Sequence, residues 1–224
     1  MGGKIACYLD CVSPYSYFAF LHLQKNSAAL LSHDVEVEFI PVFLGGINVG
    51  SGNKPPWTLP AKAKYSHYDF GRAKKYFDTP NIKTPSFFPI LSLLPQRSMT
   101  YIKSHFPKTQ YESAFGSLWV AMWQDQLDIS KPNLLARILS LNFSAGQVKA
   151  ILEGANKPEY KQKLLDNTQE ALSKGAFGCP WFWVTNGEGK EEPFFGSDRF
   201  HFMWEFLGLP WKDVELLLKD KAKI

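Results

Sequence analysis

Strand-forming sequence occurs at the two ends of this chain and almost nowhere between, and that separation constrains the fold more than any other feature. Ile5 to Asp10 is a short apolar run that reads as a buried strand. Ser13 and Pro14 follow, a favoured helix cap and a favoured first helical residue. The helix they open carries Tyr17, Phe18, Phe20, Leu21 and Leu23 and should run to about Ala29. Val35 to Ile40 then alternates apolar and charged residues, the period of a second strand. A strand, a helix and a strand at this spacing make a βαβ unit with parallel strands and a right-handed crossover. The strand signal returns only after Gly178. Trp181 to Thr185 is aromatic and β-branched, Asn186-Gly187 is a hairpin turn, and Glu192 to Phe195 can pair back. Ser197 reads as the N-cap of a last helix holding Phe200, Phe202, Met203, Phe206 and Leu207.

The middle is different. Gly45 to Pro60 is rich in glycine and proline and reads as a loop. From Ala61 to about Gly175 the periodicity is helical, punctuated by prolines at 85, 89, 95, 107, 132 and 158. Phe115, Leu118, Trp119, Met122 and Trp123 fall on one helix face, and this tryptophan stripe reads as core. The expected architecture is therefore an α/β, thioredoxin-like fold with a large all-helical insertion. Its discontinuous sheet domain covers residues 1–60 and 175–224, and the helical domain covers 61–174.

Composition removes several functions. Over 224 residues, 45% hydrophobic content rules out a disordered chain. A net charge of +4 without a dense basic run gives no nucleic-acid footprint. No segment approaches a membrane-spanning length of apolar residues. Cys7, Cys11 and Cys179 are odd in number and contain no C-x-x-C pair, so a disulfide framework, a zinc ribbon and a dithiol redox site are not expected. The five histidines have no metal-ligand spacing, and no metal is expected. The N-terminus lacks the apolar stretch of a signal peptide, so secretion is not expected and the Asn142 sequon reads as chance. His22 lies nine residues along a helix from Ser13, too far to act as its base.

Four places remain where chemistry can sit. Ser13 opens a helix whose unpaired N–H groups and dipole favour an anion, and its hydroxyl can donate to one; the plainer reading is a helix cap. Cys179-Pro180 heads a strand, where proline withholds a ladder donor. Either the peptide is cis and leaves the Cys179 backbone free for a peptide-like ligand, or the strand is an edge strand. Gly196-Ser197-Asp198-Arg199 is another helix start with donors on offer, or an ordinary cap. Asn53 and Lys62 flank the rigid Pro55-Pro56 loop, where a lysine can pair with a carboxylate or simply be solvated.

Taken in order, these segments carry a resemblance. Tyr8-Leu9-Asp10-Cys11-Val12-Ser13-Pro14-Tyr15-Ser16-Tyr17, the Ser51-to-Pro56 loop with Pro60-Ala61-Lys62, Leu118-Trp119 to Trp123 with Asp128-Ile129, Gly175-Ala176-Phe177-Gly178-x-Pro180 and Phe195-Gly196-Ser197-Asp198-Arg199 together resemble the kappa-class glutathione transferases. These are relatives of the 2-hydroxychromene-2-carboxylate isomerases and, more distantly, of DsbA-type oxidoreductases. The resemblance implies a DsbA-like fold and glutathione as co-substrate. Ser13 would hydrogen-bond its sulfur. Asn53 and Lys62 would hold the glycyl carboxylate. Cys179, before a cis Pro180, would pair with the cysteinyl backbone, and Ser197 and Asp198 would meet the γ-glutamyl end. The thiolate would attack a small electrophile in an aromatic cleft walled by Tyr15 and Trp57, with peroxidase activity as a further expectation.

The sequence departs from the family's pattern at two positions: Cys179 replaces an apolar residue, which brings a second thiol toward the bound sulfur, and Tyr17 replaces tryptophan. The same thiolate would serve a glutathione-dependent isomerase, and a non-enzymatic DsbA-like adaptor is a third reading. A disulfide oxidoreductase is disfavoured because its dithiol is missing, with Cys11 and Cys179 only a non-standard pair. The resemblance also implies a homodimer in mitochondria or peroxisomes. Ala222-Lys223-Ile224 differs from the Ser-Lys-Leu peroxisomal address only by similar residues, although it also reads as the end of a Lys-rich helix.

Overall fold

The computed structural model describes residues 2–212, and the lysine-rich tail with Ala222-Lys223-Ile224 lies outside them. Strand β1 (Gly3–Leu9) leads into helix α1 (Pro14–Lys25), a short helix α2 (Ser27–Ser32) and strand β2 (Val35–Pro41). The first helix stops before the expected Ala29. Both the backbone N–H and the side-chain amide of Asn26 bond the His22 carbonyl, and a separate helical turn starts beyond it.

The glycine-rich stretch expected to be a loop begins with a helix, α3 (Leu44–Ser51), and this corrects the sequence reading. A Cβ at Gly46 would sit 3.2 Å from Thr168, and one at Gly50 would sit 2.5 Å from Leu172. The glycines are there to let α3 approach helix α9 (Pro158–Ser173) closely, not to loosen the chain. The helix ends where Gly52 takes φ +73°, and a 3₁₀ turn (Pro56–Thr58) follows.

The segment between the two halves of the sheet is helical. It comprises α4 (Pro60–Tyr76), α5 (Leu93–His105), α6 (Lys108–Trp119) running into a π-helical turn (Val120–Gln124), α7 (Pro132–Leu139), α8 (Ala145–Ala155) and α9. The chain then returns through β3 (Trp181–Thr185), β4 (Glu191–Phe195) and α10 (Phe200–Phe206). The sheet order is β2-β1-β3-β4. β1 and β2 are parallel, and the β1–β3 and β3–β4 pairs are antiparallel. This is the thioredoxin-like arrangement expected from the order of elements, with helices between its halves.

β1 is buried on both faces, as a central strand must be. Ile5, Cys7 and Leu9 join the larger cluster with Phe18, Phe20, Phe115, Trp119 and Trp123. Ala6 and Tyr8 join the smaller one with Ile47, Ala171 and Trp181. The tryptophan stripe is core, as read from the sequence, but both indole N–H groups do more than fill space.

Candidate active site

The loop from Asp10 to Ser13 leaves the carboxyl end of β1 and is bonded from every side. Asp10 is fully buried. One carboxylate oxygen accepts from the Val12 N–H at 3.0 Å; the other accepts from the Leu44 N–H at 2.8 Å and the Ser92 hydroxyl at 2.7 Å. Burial pushes this carboxyl up to about 6, against the pull of those donors. Gln96 reaches in from α5. Its amide donates to the Leu9 and Val42 carbonyls at 2.8 and 2.7 Å and accepts from the Cys11 N–H at 3.4 Å. Trp119 donates to the Ser13 carbonyl at 3.1 Å, and Trp123 donates to the Cys11 carbonyl at 3.2 Å. Four side chains of the helical segment therefore fix the loop that carries Ser13.

Ser13 is buried; it caps α1 and also reaches across to the segment that enters β3. Its oxygen accepts from the Ser16 N–H at 3.1 Å while its proton goes to the Cys179 carbonyl, also at 3.1 Å. A hydroxyl has two acceptor lone pairs and one donor, so capping uses only one of its three hydrogen-bonding sites. The cap reading is therefore met, and a second acceptor site stays open. Cys179 N–H finds no hydrogen-bond partner among the described residues. The Cys179–Pro180 peptide is cis, and β3 is paired on both sides, which removes the edge-strand alternative.

The Pro180 carbonyl accepts from Gly196 N–H at 3.1 Å and brings the Gly196–Asp198 turn alongside. Gly196 has φ +89°, and a Cβ there would lie 2.7 Å from an Asp198 carboxylate oxygen, so the turn requires glycine. Ser197 is buried in this turn and does not cap the helix, which corrects the sequence reading. Arg199 occupies the cap position of α10, because the left-handed turn at Gly196 delays the helix.

The remaining expected residues are placed less uniformly. Asn53 donates its side-chain amide to the Phe177 carbonyl at 2.6 Å, tying its loop to the segment that enters Cys179. Lys62 is exposed on the first turn of α4 and has no hydrogen bond or ion pair among the described residues, so the structure does not join it to the others. Tyr15 donates to Asp69 of α4 at 2.6 Å; burial, Asp69 and Asp198 all raise its phenol. Trp57 packs edge-on against Phe88, which in turn meets Trp123. Tyr15 and Trp57 do not touch, but one chain of aromatic contacts through Phe18, Phe70, Trp123 and Phe88 links them.

The second thiol near the site is not an activated one. Cys7, Cys11 and Cys179 are free and buried. Burial pushes the Cys179 and Cys11 thiols up, and the Asp10 charge adds to it. Cys179 joins the core cluster of Val42, Ile47 and Ala176. His22 is half-buried and stacks on Phe200, and burial lowers it to about 4, so it is neutral near pH 7.

Two cavities lie elsewhere. One, of about 620 Å³, opens on the sheet face between Trp183, Lys103 and Lys163; the other, about 690 Å³, lies between Tyr17, His22 and Tyr76. Ser13 lines neither. Among the described residues no group of three or more His, Cys, Asp or Glu could hold a metal ion, and no helix is long and apolar enough to cross a membrane.

Asp10, Asp69, Ser92 and Gln96 did not emerge from the sequence reading as site residues. Nor did Trp119 and Trp123, which read as core. The available signal was the indole itself, since a buried tryptophan N–H needs a partner.

Residues 4–208 match the family described as the DSBA-like thioredoxin domain. Glutathione S-transferase kappa 1 of Caenorhabditis elegans is 30% identical over 99% of this chain and 98% of its own. The human protein of the same name is 30% identical over 92% of each chain. Among solved structures, 2-hydroxychromene-2-carboxylate isomerase superposes with a TM-score of 0.71 at 18% identity, covering 92% of this chain and 94% of that one, a likeness of fold. With the family match spanning nearly the whole chain and 30% identity holding over nearly its full length, the chain belongs to the DSBA-like thioredoxin family and, within it, to the kappa class of glutathione transferases.

Proposed function

We propose that this protein is a glutathione transferase in which Ser13 activates the thiol of bound glutathione for attack on small electrophiles, hydroperoxides included. The observation that carries the reading is the Ser13 hydroxyl at the mouth of α1, 3.1 Å from the carbonyl of Cys179, whose own N–H is left without a partner. An extended tripeptide can pair with that backbone edge and lay its sulfur against the hydroxyl. The hydroxyl then turns its proton from the Cys179 carbonyl to the sulfur while still accepting from Ser16.

A free thiol has a pKa of about 8.5, so little is ionised at neutral pH. A hydrogen bond to the thiolate contributes roughly 1.5–3 kcal/mol, about one to two pKa units, and the helix N-terminus adds to it. Asp10 opposes this, because its charge disfavours a second anion nearby. The donors surrounding Asp10 soak up that charge, so the hydroxyl and helix prevail. In this reading Asn53 and Lys62 take the glycyl carboxylate, Ser197 and Asp198 take the γ-glutamyl end, and Tyr15 and Trp57 border the electrophile. Lys62 can swing toward a carboxylate because it makes no hydrogen bond or ion pair among the described residues.

The test is Ser13→Ala, followed by thiolate absorbance of bound glutathione and by turnover. The bound thiol pKa should rise by about one to two units. Unchanged ionisation and full turnover would remove Ser13 from the chemistry. Product analysis separates net conjugation from isomerisation with glutathione regenerated. The proposal extends to a homodimer, measured by light scattering. It also extends to a peroxisomal or mitochondrial location, measured by imaging a tagged chain with and without Ala222-Lys223-Ile224.

A further inference from the structure

Every backbone group of Ser13 is held. Its N–H donates to the Asp10 carbonyl at 3.0 Å, and its carbonyl accepts from Tyr17 N–H at 3.3 Å and from the Trp119 indole at 3.1 Å. The indole bond is the shorter of the two at that carbonyl, and Trp119 is fully buried, so water cannot replace it. Its ring is locked by stacking on Tyr17 and Phe115, with centroids 5.6 and 4.5 Å away. Four residues on, Trp123 makes the same kind of bond to the Cys11 carbonyl, 3.2 Å long. A serine side chain takes its direction from its backbone. A donor that fixes the Ser13 peptide plane therefore fixes where the hydroxyl points, and a hydrogen bond to sulfur weakens steeply as that direction drifts.

We propose that Trp119 is a positioning residue for glutathione activation, holding the Ser13 peptide through its indole N–H so that the hydroxyl is aimed at the sulfur; the helical segment is then part of the thiol-activating machinery. The inference rests on the reading of Ser13 given above. Trp123 supports the same loop two residues upstream. Trp119 touches neither thiol nor electrophile and acts only through Ser13.

The experiment uses Trp119→Phe, which keeps an aromatic ring in the stack and deletes the donor. If that variant fails to fold, replacement of Trp119 by β-(3-benzothienyl)alanine keeps the ring shape and lacks the N–H. The pKa of bound glutathione should rise by about half a unit to one unit, a part of the whole hydroxyl effect. Turnover per active site should fall about three- to tenfold near neutral pH and recover in alkali, where the thiol ionises unaided. Binding of S-methylglutathione, which has no thiol, should stay within about twofold, a readout that general loosening of the fold would move. In a Ser13→Ala background, Trp119→Phe should leave the thiol pKa where Ser13→Ala alone puts it.

A folded donor-less variant with wild-type thiol pKa overturns the proposal. So does a shift of equal size in the Ser13→Ala background. If Ser13→Ala itself leaves the thiol pKa unchanged, the reading of Ser13 fails, and this inference falls with it. If Ser13→Ala shifts it and the Trp119 variants do not, only the positioning role is refuted.

Discussion

Gln96→Met is the sharpest test of how the site loop is held. The substitution keeps length and approximate volume and removes all three hydrogen bonds of a fully buried side chain. The Leu9 carbonyl loses its 2.8 Å bond but keeps the Val42 N–H at 3.0 Å. The Val42 carbonyl loses a 2.7 Å bond and has no other donor among the described residues. The Cys11 N–H loses a longer bond, 3.4 Å, and is likewise left alone. Two buried groups without partners cost about 1–3 kcal/mol each, and the long bond belongs at the low end, so the expected loss is about 2–5 kcal/mol. For a chain of this size each kcal/mol moves Tm by about 2–4 °C, so a fall of about 4–20 °C is expected. Urea unfolding of wild type and variant, with matched m-values, measures the difference directly. Gln96→Glu adds a discriminating control, because its carboxylate would face two carbonyls. It should be less stable than Gln96→Met at neutral pH and recover part of the loss on acidification, when it can donate once. A destabilisation below about 1 kcal/mol in Gln96→Met would show that these bonds do not hold the loop.

Three other outcomes follow from the same geometry. The native Asp10 carboxyl is pushed up to about 6 from 3.8, so the folded state retains a proton that the unfolded state releases. Its contribution to stability therefore falls as pH rises from about 4 to about 6, by up to about 3 kcal/mol, and levels off above; unfolding curves for wild type and Asp10→Asn should diverge across that window, and parallel pH profiles would refute the assignment. Gly154→Ala places a Cβ against the Tyr101 ring where α8 meets α5, and should cost about 1–3 kcal/mol in urea unfolding; a neutral effect would mean that the contact relaxes freely. Gly196→Ala must take φ +89° and displace Asp198, so calorimetric titration should show glutathione affinity falling about tenfold, and an unchanged Kd would separate this turn from the binding site.

The chain's own order of strands and helices was enough for the fold. The period-two run from Val35 to Ile40 and the Ser13-Pro14 start are local signals, and both elements formed where their local chemistry asked for them; the hairpin formed too, but through a longer connection, 186–190, with Gly189 and not Asn186-Gly187 in the left-handed region. Local signals misled where a residue type serves two purposes. The glycines of Leu44–Ser51 read as loop because their use, close approach to Thr168 and Leu172, depends on a helix more than a hundred residues away. Ser197 looked like a cap, but the turn imposed by Gly196 moved the helix start to Arg199.

For the site, sequence alone determined which groups could do chemistry: a hydroxyl at a helix mouth, a proline heading a strand, a Gly-Ser-Asp turn, and no dithiol. Tertiary structure decided which of them meet. It set the Ser13 hydroxyl against the Cys179 carbonyl, left Lys62 apart, buried the third cysteine in the core and turned two core tryptophans into donors for the active loop. Spacing along a chain fixes how a residue can fold with its neighbours. Hydrogen bonds between residues 13 and 179, or 13 and 119, exist only once the whole chain has closed around one core.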